Sequence, residues 1–317
     1  IKKQNITVLI ICVIVVAVTI IGVQFIPKKE NSTLKESIAS NKENGSLDGS
    51  NKEDELVQND QIVGEELEVD SKNNVNYIKL EDDPNADDAA MVSENTKGLL
   101  NGTKNYPVRT DGKRVVYLTF DDGPSTEVTQ QILETLKVNN VKATFFILGS
   151  NVEKSDIQKE LLKEMVNEGH AIGNHGYCHD YSILYPGRIA NPTVLVNDMK
   201  KSEDVMKSVL GDNFTTKVIR LPGGHMSWNT KALDPILERN GYCYIDWNVL
   251  NGDAESNDRT VEQLVNRLKG TVNDLAGNDD VLVILMHDTN AKKTTAQSLQ
   301  QIIDYLKSLG YEFRTLK

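Results

Sequence analysis

Cysteine is scarce in this chain, three in 317 residues, which excludes a disulfide-stapled scaffold. Cys12 lies in an apolar run, and nothing in the spacing of Cys178 and Cys243 supports a bridge between them. Histidine is also sparse, with five in all, so two of them four residues apart stand out. Basic charge is in deficit. The net charge is −11, which argues against a nucleic-acid partner. Most of that deficit lies in residues 28–105, which carry 9 Lys/Arg against 18 Asp/Glu and almost no aromatic residue. Such a stretch buries too little apolar surface to offset its ordering entropy, and it reads as a polar, acidic linker that adds nothing to the fold, with at most a local strand over 75–80.

Charge of either sign is absent from Ile6 to Ile26, 21 residues that are nearly all aliphatic. About 20 residues suffice to cross a bilayer as a helix, so residues 1–27 are expected to form an N-terminal membrane anchor. Lys2 and Lys3 before it balance Lys28 and Lys29 after it, so the flanking charge does not orient it. A cleaved signal peptide is the rival reading, but no small-x-small cleavage site precedes Pro27.

From residue 106 onward the pattern alternates. Strand-like runs occur near 115–120, 142–147, 170–174, 217–221, 242–249, 281–286 and 311–315. Helical patterns fall between them near 127–138, 157–168, 193–210, 229–240, 260–269 and 294–308. Regular β-α alternation predicts a parallel α/β fold, as a barrel or an open doubly wound sheet.

The polar residues of interest each follow a strand-like run. Val115–Phe120 runs into Asp121-Asp122-Gly123-Pro124. A solvated turn is the bland reading; two acids dividing their roles, one on a cation and one on a proton, is the other. His175 and His179 are spaced to share one face of a helical turn, a spacing that suits a divalent metal, and an Asp from the first cluster completes three ligands. On that helix Cys178 points away. Arg220-Leu221-Pro222-Gly223-Gly224 offers a cation to hold a carboxylate ionised and glycines for close backbone approach. Asp253 ends the fourth run. His287 follows the fifth and most apolar run, where an acid partner would make it a charged, oriented group. His170 reads as structural and His225 as a rim residue. In parallel α/β folds the C-terminal strand ends gather the active site, and all five clusters sit there.

These five clusters resemble, in order, the motifs of the polysaccharide deacetylase family, the NodB-homology domain of carbohydrate esterase family 4. Thr119-Phe120-Asp121-Asp122-Gly123-Pro124-Ser125 matches the first motif in full. Gly176 replaces a hydroxyl residue in the second motif, Gly223 a frequent Tyr in the third, and Ala254 the Trp that usually follows the acid of the fourth. The resemblance spans 106–317 and implies a distorted (β/α) barrel with fewer than eight regular strands. It implies Asp121 as catalytic base, partnered by Arg220; Asp122, His175 and His179 as ligands of a divalent ion, zinc or else cobalt or another; and Gly223 as the backbone donor to the oxyanion. It further implies His287, oriented by Asp253, as the acid, and Leu285 as lining of the acetyl-methyl pocket. With the anchor and a linker reaching on the order of 50 Å as a random coil, the expected protein is a single-pass cell-membrane enzyme whose extracellular catalytic domain, 106–317, deacetylates a cell-wall polysaccharide such as peptidoglycan. Chitin-like or other surface polysaccharides, O-acetyl esters, and a catalytically silent wall-binding role are the alternatives.

Overall fold

The computed structural model describes residue 75 and residues 77–274 and 279–317. The anchor expected over 1–27 lies outside these residues. Among the described residues no helix is long and apolar enough to cross a membrane.

The strands in chain order are β1 (Ala86–Asp87), β2 (Val115–Gly123), β3 (Thr144–Ile147), β4 (Ala171–Asn174), β5 (Val218–Ile219), β6 (Cys243–Tyr244), β7 (Val249–Leu250), β8 (Val281–His287), β9 (Glu312–Phe313) and β10 (Thr315–Leu316). The main sheet runs β6-β5-β4-β3-β2-β8-β7, with β9 also on β2, and every pairing is parallel. It curls into a half-barrel whose edge strands β6 and β7 share no ladder. This is the distorted (β/α) barrel, and the closed or doubly wound alternatives drop out. Helices Val128–Val138, Asp156–Asn167, Pro192–Leu210, Val261–Asp274 and Lys293–Ser308 follow the helical sequence patterns.

Side-chain alternation along β2 sorts its residues between two cores. Val116, Leu118 and Phe120 join the cluster under the helices, with Phe145, Ile147, Leu282 and Ile284. Val115 and Tyr117 face the barrel interior, with Phe146, Val218, Val281 and Val283. Interior positions therefore continue upward through Thr119 to Asp121 on β2, and through Leu285 to His287 on β8. The register pairs Thr119 with Leu285 and Asp121 with His287. The barrel is apolar at its floor and polar at its mouth because these two strands change composition along one face.

The floor is closed by the segment expected to be linker, and that boundary at residue 105 is corrected. Tyr77 packs edge-on to Phe214. β1 pairs with β10. The helix Ala89–Leu100, capped by Asp88, sends Ala89 and Val92 into the interior core and donates from Ser93 Oγ to the Tyr244 carbonyl at 2.7 Å. Asp87 accepts from Tyr117 Oη at 2.6 Å and from Arg314 Nε at 2.7 Å. The acidity that marked this stretch as solvated is partly used in buried pairs of this kind.

A chain beginning at residue 72 is expected to keep the thermal midpoint of the full chain. One beginning at 106 leaves Tyr117 and Arg314 unpartnered and the interior core open. The loss is about 3–5 kcal/mol, a fall of roughly 10 °C in Tm for a domain of this size. Differential scanning calorimetry of the two chains checks it, and equal midpoints would return the segment to the linker.

Candidate active site

The two adjacent acids of β2 reach one site through a β-bulge. The register between β2 and β3 shifts between Asp121 and Gly123, and Asp122 has φ 72°. Strict alternation would send Asp122 to the helix side. The extra residue in left-handed conformation, which Asp tolerates better than most, turns it back toward the mouth.

Asp121 is buried and pairs with Arg220, whose Nη1 donates to Asp121 Oδ1 and to Thr119 Oγ1, each at 2.7 Å. Arg220 is itself fully buried. Its Nε donates to the Ile245 carbonyl at 2.8 Å, and its guanidinium lies 4.1 Å from the Phe146 ring centroid. Burial pushes the Asp121 carboxyl upward against the opposing pull of Arg220 and then His287. The net shift is up.

Asp122 Oδ1 lies 3.4 Å from Nε2 of both His175 and His179. The ligating atoms of the three residues fall within 4.8 Å of one another. The geometry differs from the helical turn expected: residues 175–180 form an irregular loop, with positive φ at Gly176 (83°) and His179 (50°). The imidazoles meet by a loop reversal. Cys178 is exposed, outside the set, and free; Cys243, half-buried, is free as well. His175 Nδ1 is 2.7 Å from the Arg220 carbonyl, so that nitrogen carries the proton and Nε2 presents its lone pair to Asp122. Burial lowers the His175 pKa to about 3 despite the Asp122 charge, which keeps it neutral. Asp122 Oδ1 is buried with no hydrogen-bond partner. A buried, unpartnered carboxylate oxygen facing two imidazole nitrogens, one of them fixed as a neutral acceptor, fits a divalent cation.

His287 ends β8 beside Asp253. Its Nδ1 is 2.8 Å from Asp253 Oδ1, and its backbone N–H donates to Asp253 Oδ2 at 2.8 Å. Thr295 Oγ1 also donates to Asp253 Oδ2 at 2.9 Å. For His287, burial pulls the pKa down, but Asp253, then Asp122 and Asp121, outweigh it and raise the pKa to about 9. For Asp253, burial pulls up and the His287 charge and hydrogen bond prevail, so its carboxyl is held low. By linkage, the raised histidine stabilises the fold fully below pH about 6.5 and loses that contribution as pH rises through about 9.

Gly223 has φ 79°, and a Cβ there would lie 3.0 Å from Trp228 and 3.2 Å from Tyr181 Oη. The space beside it is filled by aromatic groups from two other segments, with Trp228 stacked on Tyr185 at 4.1 Å. Leu285 is buried on β8, between Thr119 and Leu250. His170 is buried away from the mouth and accepts from the Ala143 N–H at 3.1 Å. His225 pairs with Asp234 at 2.7 Å and stacks on Tyr244. The structure thus brings Asp121, Asp122, His175, His179 and Arg220 into one connected group and pairs Asp253 with His287 on the adjoining strand end.

Sequence reasoning missed four contributors. Thr119 and Thr295 brace Arg220 and Asp253. Asp288, wholly buried, accepts from Thr129 Oγ1 at 2.6 Å and fills the space a Gly123 side chain would need. Burial raises its carboxyl to about 7. Asp198 accepts two loop N–H groups beside His179. Thr119 alone had a signal, its place two residues before Asp121 on the same face.

A parallel half-barrel with a buried carboxylate–guanidinium pair, a histidine–aspartate pair and a cation-type ligand set at its strand ends defines an α/β-barrel hydrolase. The chain belongs to the polysaccharide deacetylase family. The family model described as polysaccharide deacetylase matches residues 108–245, which hold the first three clusters. A peptidoglycan-N-acetylglucosamine deacetylase of Bacillus cereus is 33% identical over 225 residues, 70% of this chain and 77% of that protein. A CE4 esterase structure from Streptococcus mutans aligns with a TM-score of 0.64 and 38% identity over 73% of this chain and 92% of that one. A polysaccharide deacetylase structure from Bacillus cereus aligns at 0.56 and 32% identity, covering 64% and 92%.

Arg220→Met is expected to leave Asp121 buried without a counter-charge, at a cost of about 3–5 kcal/mol. Removing the guanidinium also removes the pull that opposes burial, so the Asp121 carboxyl moves further up and the acid limb of any rate profile shifts to higher pH. Thermal melts and pH–rate profiles check both; an unmoved acid limb would separate Arg220 from Asp121.

Proposed function

We propose that this protein is a metal-dependent hydrolase that removes N-acetyl groups from amino sugars of a cell-wall polysaccharide, with peptidoglycan as the substrate. The observation that carries this reading is the convergence of Asp122, His175 and His179 beside the buried Asp121–Arg220 pair. The likeness to the Bacillus cereus peptidoglycan-N-acetylglucosamine deacetylase supports the substrate class. The uncharged run Ile6–Ile26 and the acidic segment after it support a membrane-tethered enzyme working outside the cell membrane.

Asp122, His175 and His179 would hold the ion, and zinc suits a set of two imidazoles and one carboxylate. Such an ion supplies Lewis-acid chemistry, polarising an acyl oxygen and acidifying water. Asp121 takes the proton of the attacking water; its upward shift brings it nearer the working pH of a general base. Gly223 presents its backbone N–H to the developing oxyanion, a type of donor worth about 10²–10³ in rate. His287, charged up to about pH 9, gives its proton to the departing amine. Asp253 fixes its tautomer and orientation. Leu285 packs the acetyl methyl group.

Acetate release and mass analysis of muropeptides tests the reading, with chitooligosaccharides and an O-acetyl ester as comparison substrates. Loss of acetyl from muropeptide amino sugars is expected. Preference for chitooligosaccharides or the ester would reassign the substrate, and no release from any of them by metal-loaded protein would favour a silent wall-binding domain.

Asp121→Asn is expected to cost about 10²–10⁴-fold in kcat, since an amide cannot accept the proton. Its metal content should stay near that of the unaltered protein. Near-normal turnover at full metal occupancy would remove Asp121 from the mechanism.

Asp253→Asn is expected to lower the His287 pKa, so the falling limb on the alkaline side moves down by about one to two pH units. His287→Ala should lose rate at every pH. The pair of pH–rate profiles decides; an alkaline limb unchanged in Asp253→Asn would mean another group donates the proton.

A further inference from the structure

We propose that Asp198 is a positioning residue for His175 and His179, fixing the loop between them through its carboxylate. The inference rests on reading Asp122, His175 and His179 as one ligand set. The loop has no helical ladder to hold its two imidazoles in register. Its backbone donors go elsewhere. Gly176 N–H donates to Asn174 Oδ1 at 2.8 Å, Tyr177 N–H to Asp198 Oδ2 at 2.7 Å, and Cys178 N–H to Asp198 Oδ1 at 3.1 Å. Two oxygens of one carboxylate on two consecutive N–H groups hold the two peptide planes that flank the Tyr177 Cα, and charge-assisted bonds of this kind are about twice as strong as neutral ones. The second donor, Cys178, is the residue immediately before His179.

The anchor is rigid. Asp198 lies within the helix Pro192–Leu210, and the next residue, Met199, accepts Asn174 Nδ2 at 2.8 Å through its carbonyl. Asn174 immediately precedes His175. One turn of one helix therefore ties both ends of the loop. On the other side the Gly176 carbonyl accepts from Gly149 N–H at 3.1 Å.

Gly176 completes the arrangement. At φ 83° a Cβ would stand 2.4 Å from Asp198 Oδ2. A side chain at 176 and the Asp198 carboxylate compete for one volume, so glycine here and aspartate there form one unit.

Zinc affinity by chelator competition and the visible spectrum of the cobalt-substituted protein test this. Asp198→Ala is expected to bind zinc about 10–100-fold more weakly, the usual cost of losing a group that orients a ligand, with altered cobalt bands and a metal-free melting point close to that of the unaltered protein. Asp198→Asn, which keeps the volume and one acceptor, should fall between. Gly176→Ser should weaken zinc binding in the unaltered background, and the penalty should shrink in Asp198→Ala, where the clash is gone. Unaltered affinity and cobalt spectrum in Asp198→Ala, or in Asp198→Asn should the alanine variant not fold, would overturn the proposal. A parent protein that binds neither metal overturns it together with the ligand set. Metal binding intact but no acetyl released overturns the proposed reaction and leaves Asp198 in its role.

Discussion

Arg220 is the residue on which the site depends, because it joins three strand ends that share no local sequence. Its side chain holds Asp121 and Thr119 on β2, its Nε holds the Ile245 carbonyl after β6, and its carbonyl fixes the tautomer of His175 after β4. A buried guanidinium is tolerated where its charge is matched and most of its donors are used; in Arg220, Nε and Nη1 are bonded and Nη2 is not. Asp121 supplies the match, and the flat faces of Phe146 and Trp247 supply the packing. A lysine at 220 would keep the charge and lose the fork that reaches two strands at once.

A second constraint is local to β2. A strand delivers alternate residues to one face, so a site wanting two successive carboxylates must break the alternation. The bulge at Asp122 does this within one residue, and Gly123 after it leaves room for the buried Asp288 carboxylate. The division of labour between Asp121 and Asp122 follows from that break. The residue still in the ladder meets the buried arginine, and the one thrown out of it meets the histidines.

The alternating strand and helix patterns from 115 onward were legible because each long element has a single periodic apolar face, and the site residues were legible because they cluster at strand ends. The loop carrying His175 and His179 was misread because a spacing of four satisfies a helical turn and a tight reversal equally; glycine at 176, with positive φ, was the local cue against the helix. The floor segment was misread for a different reason. β1 has two residues, the helix Ala89–Leu100 sends only small side chains and Val92 into the core, and Asp83, Asp87 and Asp88 look like solvated charge until Lys317, Arg314 and the helix N-terminus are seen against them. Pairings across more than two hundred residues leave no trace in local composition. Asp198 left none either, being one acid in a helix with several.

The balance of charge in the mouth explains why a cation belongs there. Asp121 is matched by Arg220, and Asp253 by His287, so each of these pairs is close to neutral. Asp288 is buried with a carboxyl raised to about 7, which favours its neutral form near that pH and below. Asp122 is different. His175 is held neutral by burial and spends its one N–H on a backbone carbonyl, so it can give Asp122 neither a charge nor a proton. The carboxylate oxygen that faces it is buried and unpartnered. An uncompensated carboxylate in such a place costs several kcal/mol. Because Asp121 and Asp253 each have a cationic partner, the remaining demand is for a positive centre that takes one oxygen and two imidazole lone pairs at once. A proton can serve only one of the three atoms; a divalent ion serves all of them.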